Sequence, residues 1–306
     1  MALGTAARRS RSSTAARADP VSAVPSRSER EIVRKLTAAD AAACAALSRA
    51  VGWPHREEDW AFVIERGDGI GIARDGTLVA TAISWSFGET HASFGMIIVA
   101  PALQGAGIGK RLMAQLLAQT EGRSQMLTAT EAGRPLYEKV GFAACDSVRQ
   151  HQGLVQGAPA QELDAGETIR PANLADLDEL CRLDIAATGL ERRPILSALC
   201  DLGEAVVMER DGNIAGFSII RRFGRGEVIG PVIAPDAQAA RHLIAHWLAQ
   251  RDGRFVRIDF GDDELGGWIA RFGLAEVGGG IAMARGTPPA AAGPSRRFAL
   301  INQALG

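Results

Sequence analysis

The pattern of apolar and polar positions changes abruptly at one stretch in the first half of the chain. Residues 96–100 form an unbroken apolar run that predicts a buried strand, and Pro101 ends it because proline cannot donate to a sheet ladder. Beyond the proline come three glycines and then apolar residues at helical spacing, namely Gly105, Gly107, Gly109, Ile108, Leu112, Leu116 and Leu117. The pattern therefore predicts a strand, a glycine turn and a helix that begins within the turn.

The same periodicities divide residues 31–150 into alternating elements. Strands are predicted at 31–36, 69–73, 78–86 and 125–127, and helices at 40–51, 57–66 and 134–142. Gly52-Trp53-Pro54 separates the first two helices, and Arg74-Asp75-Gly76 joins two strands. With the central strand and helix, the predicted order is β-α-α-β-β-β-α-β-α-β.

The chain then repeats itself. Residues 168–177 resemble 32–40, residues 211–216 resemble 75–80, and Pro235 follows Pro101 by 134 residues, whereas Leu248 follows Leu117 by only 131. The second copy is therefore shorter where the first has its glycine turn, and its residues 236–242 contain no glycine. Alanine and arginine do not easily adopt positive φ, so we expect no phosphate site in the second copy.

A glycine turn that opens a helix is an anion site, because free N–H groups and the positive end of the helix dipole meet there. A Walker loop does not fit, since Gln104 and Arg111 stand where it needs glycine and a hydroxyl residue. A Rossmann loop does not fit either, since Lys110 stands where it needs a third glycine. The anion is expected to be phosphate.

Two motifs carry a resemblance to a known family. Gln104-x-x-Gly107-x-Gly109, placed directly after Val99-x-Pro101, resembles the pyrophosphate loop of the GNAT acetyltransferases, which bind acetyl-CoA. Residues 130–142 resemble the Leu-Tyr-x-x-x-Gly-Phe helix of that family, with the chain's one tyrosine, Tyr137, at the family position. The resemblance implies an α/β (mixed-sheet) fold with two tandem GNAT-like domains, of which the second is degenerate.

The resemblance also implies the co-substrate and its site. Acetyl-CoA would be held by Ile98, Val99, Gln104, Gly105, Ala106, Gly107, Ile108, Gly109, Lys110, Thr130 and Gly133. Tyr137 would lie near the thioester sulfur and act as general acid, although a helix tyrosine that only packs on the sheet is the plain alternative. Thr128 stands where the commonest tandem relatives are expected to carry an acid.

The general base and the acceptor pocket are less defined. No carboxylate lies in residues 96–99, so Glu89 is the first candidate base, with His91, His55 and Glu57 as others and a water chain as an alternative to all of them. Histidine and glutamate side chains outside a motif are usually solvated surface groups, and this is the favoured interpretation of each of them. Trp53, Trp85 and Phe87 are expected to line the acceptor pocket, with core packing as the open alternative.

Composition limits the partners. The chain has 306 residues, 47% of them hydrophobic, and a net charge of -1, which argues against nucleic acid and anionic membranes as ligands. The four scattered cysteines fit a reducing compartment and suggest no metal site. No apolar run approaches the roughly 18 residues of a membrane helix. A cytoplasmic enzyme with a small-molecule amine substrate is expected, and a homodimer is one candidate assembly.

The predicted organisation has five parts. They are a disordered Arg/Ser/Ala-rich tail at 1–30 (a mitochondrial transit peptide being the alternative), a catalytic domain at 31–150, a linker at 151–166, a degenerate domain at 167–286, and a C-terminal linker and tail at 287–306. The last segment either folds back on the body or is loosely ordered. The expected function is N-acetyl transfer to a small primary amine; a silent acetyl-CoA-binding regulatory protein and a protein-lysine acetyltransferase are the alternatives.

Overall fold

The computed structural model describes residues 31–157, 163–261 and 265–306. The predicted tail at 1–30 lies outside these ranges. The strands are β1 Glu31–Lys35, β2 Asp68–Arg74, β3 Thr77–Phe87, β4 His91–Val99, β5 Ser124–Ala129, β6 Ala143–Leu154, β7 Glu167–Pro171, β8 Glu204–Arg210, β9 Asn213–Phe223, β10 Gly226–Ala234, β11 Phe255–Phe260, β12 Ala275–Arg285 and β13 Arg296–Ala299. The helices are α1 Ala41–Ala50, α2 Glu57–Glu65, α3 Ile108–Gln119, α4 Arg134–Lys139, α5 Leu177–Thr188, α6 Arg193–Leu202, α7 Ala237–Leu248 and α8 Gly266–Ala270.

The described strands form one mixed sheet that runs through both halves of the chain. Its order is β1-β2-β3-β4-β5-β12-β6-β11-β13-β10-β9-β8-β7. Neighbours from β1 to β4 and from β7 to β10 are antiparallel, whereas β4 pairs with β5, and β10 with β11, in parallel. Each half therefore repeats the strand order of the other, and the two halves meet in the middle of the sheet.

The meeting point is an exchange of strands. β12, the last long strand of the second half, lies between β5 and β6 of the first half, and β6 in turn lies between β12 and β11. The register of β6 with β11 extends from Arg149 to Leu154. The predicted linker at 151–166 therefore begins inside a strand, because hydrogen bonds from the second half continue β6 beyond the predicted boundary.

The apolar cores follow the same exchange. Trp60 and Trp85 of the first half are buried in one cluster with Leu180 and Phe217 of the second half. Burial of apolar side chains against each other is the main stabilising term in folding, so each half depends on the other for part of its core. No helix in the described part of the chain is long and apolar enough to cross a bilayer.

The C-terminal segment folds back on the body. β13 lies between β10 and β11, pairing with β10 at Val232–Ala234 and with β11 at Phe260. Phe298, Ile301 and Leu305 are almost completely buried. Of the two outcomes that the sequence left open for this segment, the structure has the folded one.

Candidate active site

The site begins where β4 and β5 separate. The two strands are paired from His91 to Phe94, opposite Ser124 to Leu127, and beyond Phe94 this edge of β4 has no strand partner among the described residues. A bulge at Met96, which has a φ of +52°, shifts the register of β4 against β3, and Thr81 Oγ1 donates to Met96 O at 2.8 Å. Backbone N–H groups along this open edge can therefore donate to a ligand carbonyl.

The predicted glycine loop follows β4 and opens onto free space. Gly105 and Gly107 have φ values of +82° and +78°, and a Cβ built on either would meet no atom within 4 Å. Gly107 is the N-cap of α3 and supplies no side-chain cap, so the first-turn N–H groups of the helix remain available to an anion. Gly109 serves packing, because a Cβ there would lie 3.1 Å from Leu136.

The other predicted acetyl-CoA residues differ in what they can offer. Gln104 Nε2 donates to Val99 O at 3.2 Å and so holds the start of the loop to the end of β4. The side chains of Ile98 and Ile108 are buried, which leaves only their backbone for a ligand. Ala106 and Lys110 are exposed beside the loop. Thr130 Oγ1 accepts from Gly133 N at 3.1 Å in the turn that starts α4.

Tyr137 lies on α4 directly beside that turn. A Cβ on Gly133 would lie 3.4 Å from the Tyr137 hydroxyl and 3.3 Å from Thr130 Oγ1, so the hydroxyl is close to the threonine. Burial raises the pKa of Tyr137 to about 12. The hydroxyl makes no hydrogen bond to any residue that the structure describes. It is therefore protonated at neutral pH and free to donate.

A cavity of about 260 Å³ opens at the separation of the two strands. Residues of the first half, of β6, of the second half and of the C-terminal segment all line it, including Trp53, His55, Asp59, Phe94, Gly95, Met96, Thr128, Thr130, Gln150, Gln152, Phe223, Arg225, Arg257, Asn302, Gln303 and Ala304. The C-terminal segment is held there by a hydrogen bond from Ser93 Oγ to Ala304 O. The cavity is thus a joint product of both halves.

Of the three predicted pocket aromatics, only Trp53 lines this cavity. Trp85 and Phe87 are buried in the core, and Trp85 Nε1 donates to Val63 O at 3.0 Å. The prediction for these two residues is wrong, because alternation along β3 turns both side chains into the core. Trp85 supports the cavity indirectly, since a Cβ on Gly95 would lie 3.1 Å from its ring.

The predicted base Glu89 does not reach the cavity. It is exposed in the turn before β4, five residues from Phe94, which corresponds to roughly 16 Å along an extended strand. His91 lies at the same end of β4 and contacts Thr287 O through Nε2. Glu57 is exposed at the start of α2 and does not line the cavity. Glu89 is therefore removed as a catalytic candidate, and His55 is the one member of the predicted set that lines the cavity.

A hydrogen-bond chain determines the chemistry of His55. Trp60 Nε1 donates to Ser48 Oγ at 2.9 Å, and Ser48 Oγ lies 3.3 Å from His55 Nδ1. The indole can only donate, so it uses one lone pair of the serine oxygen, and the direction of the Ser48–His55 hydrogen bond follows the imidazole tautomer. Burial lowers the pKa of His55 to about 4. His55 is therefore neutral at neutral pH and a poor base.

The sequence did not point to several of the lining residues. Arg225 lies in the turn between β9 and β10, Arg257 lies on β11, and Gln150 and Gln152 lie on the exchanged strand β6. None belongs to a motif. The one available signal was the apolar content of residues 298–305, which is unusual for a loose tail.

The equivalent site of the second half is closed. Asp236 is the N-cap of α7, where its carboxylate accepts from Ala239 N at 2.8 Å and pairs with Arg210 at 2.9 Å. β13 fills the separation between β10 and β11 that is open between β4 and β5. Both features argue against a second anionic ligand of the same kind.

Comparison with known proteins agrees with this two-part architecture. Family models described as the acetyltransferase (GNAT) domain match residues 59–144 and residues 180–298. The chain is 28% identical to the uncharacterized N-acetyltransferase YitH of Bacillus subtilis over 68% of this chain and 74% of that protein. It is 26% identical to the holothin acyltransferase of a Pseudoalteromonas species over 74% of this chain and 76% of that protein. A tandem GNAT protein from the clavulanic acid biosynthesis pathway has a similar fold, with a TM-score of 0.60, 13% identity, and coverage of 87% of this chain and 99% of that one.

Proposed function

Since the chain belongs to the GNAT acetyltransferase superfamily and joins two such domains in tandem, we propose that its first half acetylates a primary amine of a small molecule. GNAT acetyltransferases use acetyl-CoA as co-substrate, and the protein is an acyltransferase of this type. The residues present suit that co-substrate, because the glycine loop leaves empty space at a helix N-terminus and β4 leaves an open edge.

The observation that carries the proposal is the cavity beside Thr130, close to Tyr137. Its volume of about 260 Å³ suits a compound of roughly amino-acid size. Its walls come from both halves and from the C-terminal segment, which favours a small acceptor over a lysine presented on a protein surface.

The proposed transfer is a direct attack. The lone pair of the neutral amine forms a bond to the thioester carbonyl carbon, and the open edge of β4 donates to the oxygen that gains charge. The carbon–sulfur bond then breaks, and the sulfur takes the proton of the Tyr137 hydroxyl. The nitrogen releases its extra proton to solvent, and solvent returns a proton to Tyr137. The products are an N-acetylated amine and free CoA.

Tyr137→Phe tests this proposal. The substitution keeps the ring and its packing against Phe142 but removes the proton that the sulfur needs. General-acid assistance is worth about 10²–10⁴-fold, so kcat should fall within that range while the Kd for acetyl-CoA stays unchanged. The measurement is amine-dependent release of free CoA thiol, with calorimetric titration of acetyl-CoA.

The matched control is an acyl donor with a more acidic leaving thiol. That thiolate needs less help, so the loss caused by Tyr137→Phe should shrink with this donor. An unchanged kcat would leave Tyr137 as a packing residue. Binding of acetyl-CoA without amine-dependent thiol release by the unaltered protein would instead indicate a silent acetyl-CoA-binding protein.

A further inference from the structure

The charges around the cavity are unequal. Asp59, Arg225 and Arg257 are the charged side chains that line it within the described residues, and His55 is neutral. Three more charged groups contact the lining directly: Arg56 through Asp59, Asp259 through Arg257, and Arg221 through the ring of Phe223. Four guanidinium groups therefore face two carboxylates.

Both carboxylates are already used. Asp59 accepts from the Arg56 side chain at 2.7 Å, from Arg56 N at 2.9 Å and from Gly224 N at 2.9 Å. Asp259 is completely buried and accepts from Arg257 at 2.8 Å and 3.1 Å. Each carboxylate oxygen has a cationic or backbone partner, so the negative charge that could hold a substrate ammonium group is already compensated.

Arg225 is the guanidinium without a partner. It is exposed at the rim and makes no ion pair or hydrogen bond to any other residue in the described part of the chain. Its turn is held against the first half, because Asp59 accepts from Gly224 N and Arg56 Nη2 donates to Arg222 O at 3.1 Å. The first half thus fixes the turn that presents Arg225 to the cavity.

The remaining guanidinium groups strengthen the positive charge. Arg257 and Arg221 stack on Phe223, with distances of 5.4 Å and 4.8 Å to the ring centroid. Arg221 donates to Ile301 O at 3.3 Å, and although burial lowers its pKa to about 10, it stays charged at neutral pH. A substrate that carries additional positive charge would be repelled, because the positive charge of these partly buried guanidinium groups is not fully compensated.

We propose that the acceptor is an amine that also carries a carboxylate, and that Arg225 of the second half binds this carboxylate. The inference rests on the proposed function and deepens it. A fork of guanidinium donors matches a carboxylate in two parallel hydrogen bonds. The apolar wall made by Trp53, Phe94, Met96 and Phe223 would take the body of an amino acid with an apolar side chain.

The same charge assists the reaction. Positive surroundings disfavour an ammonium group and so lower the pKa of the entering amine. More of the amine is then in the neutral form that can attack, which suits a cavity whose histidine is a poor base. Polyamines and polycationic aminosugars, by contrast, would carry more positive charge into the cavity.

The experiment compares matched acceptors. The standard L-amino acids, the amide of each, spermidine and glucosamine are tested for acetyl-CoA-dependent thiol release and for quenching of tryptophan fluorescence by the acceptor in the presence of CoA. We expect kcat/KM for at least one apolar amino acid to exceed that of its amide by 10-fold or more. Arg225→Gln should lower this ratio about 10-fold or more, and Arg225→Lys should retain part of it.

Arg222→Gln is the control, because Arg222 is an exposed neighbour on β9 that does not line the cavity. Its ratio should equal that of the unaltered protein. The inference would be overturned if Arg225→Gln lowered kcat/KM equally for the amino acid and its amide. It would also be overturned if spermidine or glucosamine were preferred, or if no amino acid gave either turnover or binding. Turnover of amines without a carboxylate preference would overturn it while leaving the proposed function intact.

Discussion

β3 and β9 show how closely the two halves correspond. Each strand has eleven residues, and the order of buried and exposed positions along them is identical. The strands that follow have nine residues each, and the helices α3 and α7 have twelve. The halves differ at the junction between those strands and helices, where the first is open and the second is filled.

Three substitutions of one group for another account for the difference. The carboxylate of Asp236 takes the position at a helix N-terminus that the bare Gly107 leaves to an external anion. β13 takes the space between separated strands. At the bulge of β10, Pro231 has no N–H, whereas Ile97 follows Met96 in the corresponding bulge of β4.

The second half has the fold of the first half but not the features of its anion site. In the second half Asp236 satisfies the helix end and β13 pairs with the strand edges, so this junction offers no open anion site in the described part of the chain. The same segment that fills the second site continues to Asn302, Gln303 and Ala304 in the wall of the first-half cavity. The second half therefore has no open site of this kind at its own junction but contributes residues to the cavity of the first half.

The largest expected effect on acetyl-CoA binding comes from Gly107→Glu. A side chain at φ +78° is strained, and its carboxylate would occupy the place of a phosphate. Calorimetric titration should show one acetyl-CoA site per unaltered chain and a Kd at least about 100-fold weaker in the variant, a loss of at least about 2.7 kcal/mol.

Gly122→Glu is the matched control, since Gly122 has a φ of +83° and open space around its Cβ beyond the end of α3. It should bind acetyl-CoA normally. Two acetyl-CoA sites of similar affinity in the unaltered protein would show that the second half is not closed. An equal loss of acetyl-CoA affinity in both variants would show that the effect is not specific to the glycine loop.

Phe298→Ala should give the largest loss of stability. The ring is 1% exposed in β13, and truncating a buried phenylalanine costs about 3–5 kcal/mol of unfolding free energy. Denaturant unfolding should show that loss, while acetyl-CoA titration still gives one site because Asp236 continues to cap α7.

Leu202→Ala is its control, because Leu202 is 61% exposed and should change stability by less than about 0.5 kcal/mol. A second acetyl-CoA site in Phe298→Ala would mean that β13 alone closes the second half.

Asp236→Ala should give the smallest effect. Loss of the N-cap typically costs about 1 kcal/mol, and the ion pair with Arg210 is partly exposed and adds little. The midpoint of thermal unfolding should fall by a few degrees. Gly107→Ala, at the equivalent helix end, should instead act mainly on acetyl-CoA affinity. If Asp236→Ala changed mainly acetyl-CoA affinity and Gly107→Ala mainly stability, Asp236 would not be the helix cap and Gly107 would not mark the anion site.

Local sequence signals predicted the elements and half of the candidate site. The apolar run before Pro101, the glycines at positive φ and the periodicity of α3 all act within a few residues, so they can be read without the fold. The prediction of Glu89 as the general base was wrong because it depended on contacts between residues that are distant in sequence. Its distance from the cavity depends on how far β4 and β5 stay paired, and that pairing joins residues distant in sequence.

By itself the sequence determined the repeat, the family, the strand–loop–helix unit and the loss of glycine in the second copy, because these follow from residue types and spacing. The tertiary structure alone decided the exchange of β6 and β12, the insertion of β13 and the meeting of Trp53, Arg225 and Gln303 around one cavity. Strand pairing depends on which edges are left unpaired after the rest of the chain has folded. The acceptor cavity is therefore a property of the assembled sheet, and no local pattern in either half specifies it.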